Sequence, residues 1–114
     1  MNNHQDGLSL WQYIVSTLKT VPQDIQTVRH DGSGGIWFYG TTHNNAIVID
    51  RAKEKQPSSS INAPRFITEA EFTELYPLYY QWKADRITRV QVAQISQNSS
   101  YIFALIYQFE NSMR

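Results

Sequence analysis

The spacing of the apolar residues changes near the start of the chain, and that change narrows the fold more than any other feature. Up to Val21-Pro22, residues Trp11, Ile14, Val15 and Leu18 follow the i, i+3, i+4, i+7 spacing of one helical face. Ser9 is a good N-cap for this helix, Gln12 closes a capping box, and Leu8 can staple onto Tyr13. From Asp24 the period becomes two. Ile25 to His30, Ile36 to His43 and Ala46 to Asp50 are short stretches rich in β-branched and aromatic residues. Asp31-Gly32-Ser33-Gly34-Gly35 and Asn44-Asn45 separate them, and Asn and Gly tolerate the positive φ of hairpin turns. A helix followed by a three-stranded meander is expected.

Gln56-Pro57-Ser58-Ser59-Ser60-Ile61-Asn62-Ala63-Pro64 is polar and bracketed by proline, which predicts a mobile loop over 56–65. Beyond it Thr68 and Glu71 form a second capping box and Ile67 and Phe72 a staple, opening a helix that buries Phe72, Leu75, Tyr76 and Tyr79. Pro77 lies inside that pattern, so a kink or a break into two short helices is expected there. Arg86 to Ser96 and Tyr101 to Glu110 read as a last hairpin around Gln97-Asn98-Ser99-Ser100. The expected order is αβββαββ. That is one α+β domain over 1–114, a mostly antiparallel sheet of about five strands with two helices on one face, and a disordered tail over 1–7.

Composition sets limits on function. At 114 residues the chain suits a single core, and with no cysteine it has no thiol chemistry, thiolate metal site or disulfide framework. Ten basic and ten acidic residues give no net charge, so no overall field draws the chain to nucleic acid or anionic lipid. No run approaches the roughly 20 apolar residues of a membrane span, and the polar start lacks the apolar core of a signal peptide. A cytoplasmic protein is expected, with no membrane partner and nucleic acid an unlikely one. The basic residues Lys53, Lys55, Arg65, Lys83, Arg86 and Arg89 sit at element ends near Trp82 and Tyr80, where solvated caps explain them better than a nucleic-acid site.

Pairing across Asn44-Asn45 assigns faces. Ile36 and Phe38 join Ile47 and Ile49 toward the helices, while Trp37, Tyr39, Thr41 and His43 join Ala46, Val48 and Asp50 on the other side. In the expected last hairpin both faces are apolar, and two helices cannot cover both sides of a sheet. The second face, with Trp37, Tyr39, His43, Val48, Asp50, Ile95, Ile102 and Ile106, is therefore an expected interface or groove. A homodimer follows, centred on Trp37 and Ile102 with Arg89 and Gln108 at the rim. The favoured function is a non-enzymatic binding or assembly module.

The alternative is a small-ligand-binding protein or small enzyme. Its pocket would lie between the kinked second helix and the sheet, lined by Tyr39, His43, Tyr76, Tyr79 and Trp82, with Asp50 or Arg86 as the polar group. Catalytic signals are thin. His4, His30 and His43 fall in different elements without metal-ligand spacing, so no metal and no cofactor is expected. Gly32-Ser33-Gly34-Gly35 lacks the Lys and the strand-to-helix setting of a P-loop.

The first five elements resemble the core order of PD-(D/E)xK nucleases, but Asp50-Arg51-Ala52-Lys53 puts the Lys one place too late. The same order resembles double-stranded RNA-binding domains, but Thr68-Glu69-Ala70-Glu71 would repel phosphate where they present Lys. The complete order is similar to that of small type III secretion chaperones, in architecture only. As a short, motif-free α+β chain, the whole sequence resembles in type the orphan proteins of mobile, integron-type gene cassettes. That resemblance implies a stable small fold and leaves its activity open.

Overall fold

Local capping and strand alternation place most of the elements. The computed structural model describes residues 3–113: helix α1 (Asn3–Thr20), strands β1 (Gln23–Val28), β2 (Gly34–His43), β3 (Ala46–Arg51) and β4 (Arg65–Ile67), then helices α2 (Glu69–Lys83), α3 (Arg89–Ile95) and α4 (Ser99–Met113). The four strands pair in sequence order, each antiparallel to the next. An α+β fold with an antiparallel sheet is thus correct, but the described residues form four strands and four helices rather than five and two.

The meander is in the expected register. His43 pairs with Ala46 across Asn44-Asn45, and Asn44 takes a φ of 51°, the left-handed conformation such a turn requires. Residue alternation then sends Phe38, Ile47, Ile49 and Ile67 to one side, where all are fully buried. Helices α1 and α4 pack on that side, and α2 packs on both of them. Aromatic rings knit the helical layer, with Phe103 of α4 at 5.4 Å from Tyr79 and 5.1 Å from Trp82 of α2.

Three expectations fail, each for a physical reason. Helix α1 begins at Asn3, so positions 3–7 are helical instead of tail, and Ser9 lies inside a helix rather than at its cap; Met1 and Asn2 fall outside the described residues. Gly7 is buried there, its Cα so near the Tyr76 ring that an added Cβ would stand 3.1 Å from it. Of the kink or break expected at Pro77, the break does not occur: helix α2 runs through it, because the packing of Phe72, Leu75, Tyr76, Tyr79 and Trp82 on both sides outweighs the lost hydrogen bond.

The third failure is the last hairpin, which is a pair of helices. Thr88 and Gln91 form a complete capping box that starts α3, with the Thr88 side chain accepting from the Gln91 N–H and Gln91 reaching back to the Thr88 N–H. Helix α4 buries Tyr101, Ile102, Phe103, Ala104, Leu105 and Ile106 in succession, since the sheet, α1 and α2 surround it. Six consecutive apolar residues mask the 3.6-residue stripe that Tyr107 and Gln108, both exposed, would otherwise mark, and such a run imitates a buried strand. Between α3 and α4, Glu71 accepts from the Ser96 hydroxyl and the Asn98 amide, which ties the connection to the start of α2.

The segment between β3 and β4 is anchored in its middle. The Trp37 N–H donates to Pro57 O at 2.8 Å and the Ser59 N–H donates to Trp37 O at 2.7 Å, which adds a short parallel bridge beside β2. Buried Ser59 shares a 2.8 Å hydroxyl hydrogen bond with Tyr101 of α4.

Candidate functional site

The side of the sheet away from the helices is built by alternation alone. Trp37, Tyr39, Thr41 and His43 come from β2, and Ala46, Val48 and Asp50 from β3, with Tyr39 opposite Asp50 and Thr41 opposite Val48. At one edge β1 sets Asp24 and Gln26 beside Tyr39 and Trp37. At the other, β4 sets Phe66 beside Val48, and Phe66 is 53% exposed. Trp37, Tyr39, His43, Val48 and Asp50 are therefore on one face, as their spacing predicts. Phe66 was missed, because it lies in a three-residue strand next to a loop; Arg65-Phe66-Ile67 ahead of the Thr68 cap was the available signal.

The other three expected members are elsewhere. Ile102 and Ile106 are fully buried on α4, and Ile95 is an exposed residue of α3. The reason is the helical state of both segments, which removes them from the sheet. Arg89 and Gln108, expected at the rim, also belong to α3 and α4.

One end of the open face carries positive charge. The Lys53 ammonium sits 5.0 Å from the centre of the Tyr39 ring and that of Lys55 sits 5.7 Å from the Trp37 ring. Asp24 holds this turn in place. Its Oδ1 accepts the Lys53 N–H at 2.8 Å, and its Oδ2 accepts those of Glu54 at 2.7 Å and Lys55 at 2.9 Å. Partial burial raises the Asp24 pKa, but these three hydrogen bonds and the Lys55 charge outweigh it and hold the carboxyl below its ordinary value. The turn is thus shaped by an internal carboxylate in a concavity of backbone amides.

The alternative pocket is not assembled. Tyr76, Tyr79 and Trp82 face the core, Arg86 is exposed after α2, and Tyr39, His43 and Asp50 lie across the sheet from them. Burial, reinforced by the charges of Glu110 and Tyr107, pushes the Tyr79 phenol up to about 12, so it does not ionise near neutral pH. Burial and hydrogen bonds to Glu110 and Tyr76 push Tyr80 upward as well. Of that set, Trp82 borders a cleft at the C-terminal end of α2, and Tyr39 borders a separate one beside Asp24 and the Lys53 to Lys55 turn.

His30 is committed to structure at that same end. Its Nε2 lies 3.0 Å from Trp82 O and 2.9 Å from an Asp85 carboxylate oxygen, both acceptors, so Nε2 carries a proton. The bond adds a second donor to Trp82 O, which already accepts the Asp85 N–H at 3.1 Å, at the C-terminal end of α2. Among the described residues, no group of three or more His, Asp or Glu is placed to hold a metal ion, and no helix is long and apolar enough to cross a membrane. Set against known protein families, curated proteins and solved structures, the chain matches none.

Proposed function

We propose that this chain is a non-enzymatic assembly module that pairs with a second copy of itself through the open face of its sheet. The observation that carries the reading is the face itself: on the side of the four-stranded sheet away from α1 and α4, Phe66 is 53% exposed and Trp37, Tyr39 and Val48, on the same face, are half-buried. Apolar area left open in this way is stabilised by association. A flat, twofold contact needs only one self-complementary surface, and a chain without net charge carries no overall repulsion against its own copy. A stable dimer buries about 800 Å² per partner, with aromatic residues near its centre. In this reading Trp37 anchors one end of the contact, and Phe66 takes the place first given to Ile102, which is buried on α4. The cytoplasm remains the proposed setting, and an affinity with cassette-borne proteins remains a proposal too.

Light scattering on the wild type at tens of micromolar is the test, since a weak but specific interface still associates in about that range. A mass twice the 13.2 kDa of the chain supports the module. Phe66→Glu should return the mass to that of one chain while far-ultraviolet dichroism is unchanged. A wild type that stays monomeric overturns the reading.

A further inference from the structure

On the helix side of the sheet, beyond the ends of β1 and β2, lies a cleft of about 430 Å³, within the range of small-ligand sites. Its walls are apolar: Val28, Ile36 and Trp82 line it, and Ile36 is 42% exposed although Phe38, two residues along the same strand, is fully buried. Arg89 and Ser100 form its polar part, with His30 and Arg29 also at the lining. No acidic residue lines it.

Arg89 is the unusual group. It starts α3, and the capping box at Thr88 fixes the backbone that carries it. Its guanidinium lies 4.9 Å from the centre of the Phe103 ring and 5.2 Å from that of Trp82, and it donates to the Ser100 hydroxyl in the first turn of α4. Among the described residues no carboxylate forms an ion pair with it. A partly buried charge normally acquires an anionic partner, because its lost hydration must be replaced. The two rings replace part of it. A guanidinium has five N–H donors, and Ser100 occupies one. Burial also pulls the Arg89 pKa below its ordinary value, which agrees with a charge short of compensation.

We infer that this cleft binds a small organic carboxylate with a flat apolar body, its carboxylate on Arg89 and Ser100 and its body against Trp82, Val28 and Ile36. A carboxylate fits because a single guanidinium fork meets its two oxygens in one plane. Arg29 is not a second fork deep in the site, since it donates to Gly34 O and to the Ser33 hydroxyl of its own hairpin. The site is independent of the assembly face, which lies across the sheet, so failure of either leaves the other standing.

The test follows the Trp82 indole signal by two-dimensional NMR while the full chain is titrated with trans-cinnamate, with its neutral analogue cinnamamide and with phenyl phosphate. Cinnamate should shift that signal saturably at millimolar concentration, and cinnamamide should bind at least about tenfold more weakly, as expected for loss of a charge-assisted pair. Arg89→Met should abolish the preference for the acid, and Arg89→Lys, which keeps the charge without the fork, should retain only part of it. If Arg89→Met does not fold, the comparison of the two ligands on the wild type decides alone. No saturable shift up to about 10 mM, or equal binding of acid and amide, overturns the inference. Tighter binding of phenyl phosphate than of cinnamate overturns the carboxylate assignment.

Discussion

Trp37 and Phe38 are neighbours in β2, yet one belongs to the open side of the sheet and the other to its buried side. Both are held in extended backbone, Trp37 by hydrogen bonds to Pro57 and Ser59 and Phe38 within the ladder of β1, β2 and β3. What differs is the layer against each: α1 and α4 cover the row of Phe38, Ile47, Ile49 and Ile67, and on the other row the Lys53 to Lys55 turn reaches only one end. Aromatic character is therefore no guide to role in this chain. Position in the alternation is, because it decides whether a ring contributes to folding or to association.

The largest effect should fall on the covered row. Phe38→Ala removes a fully buried ring and should cost about 3–5 kcal/mol in denaturant unfolding, a loss that a small domain can barely survive. A loss under about 1 kcal/mol would break the comparison at its base, since it would mean the row is not core.

Asp24 sharpens the comparison by crossing it, for it lies on the open side but supports the fold. Asp24→Asn should weaken the three backbone hydrogen bonds and cost about 1.5–3 kcal/mol, the range for bonds to a charged group. The same contribution depends on pH. A carboxyl whose pKa is lower in the folded chain stabilises it fully above the ordinary value of 3.8, and that contribution fades as pH falls through the folded value. Acid unfolding of the wild type should therefore steepen below about pH 4, and the steepening should be weaker in Asp24→Asn.

The smallest effect on folding should come from Trp37→Glu. Once dissociated, the variant should unfold within about 0.5 kcal/mol of a wild-type monomer, because the side chain leaves no cavity in the core. Unfolding of the variant at any concentration would assign Trp37 to the core and invert the two faces.

How much of this could be read beforehand divides at β4. The first helix, the meander and the register across Asn44-Asn45 were legible because period and turn chemistry agree there, and five residues of the open face followed. Beyond β4 the signals conflicted. Tyr101 to Ile106 is an unbroken apolar run that masks the period, and the length of the segment without a turn residue was the better guide to a helix. Thr88-Arg89-Val90-Gln91 is the same kind of capping signal as Thr68 and Glu71, and with Ile87, Val90 and Ile95 almost fitting a helical stripe it favours the helix over the expected strand. Ser9 and Gln12 match that pattern too but cap nothing, since the turn before them is already helical. The cleft around Arg89 was out of reach, because it needs α3, α4 and the β1–β2 ends to be placed together.

Three tryptophans report on three surroundings: Trp11 in the core, Trp82 at the cleft and Trp37 on the open face. Adding a soluble gadolinium chelate and following their indole signals in wild type and in Phe66→Glu tests the central claim most directly. Trp11 should be protected in both proteins, and Trp37 should be protected in the wild type but strongly broadened in the variant, whose partner has left. Equal broadening of Trp37 in the two proteins would mean that nothing covers the open face and would contradict the account.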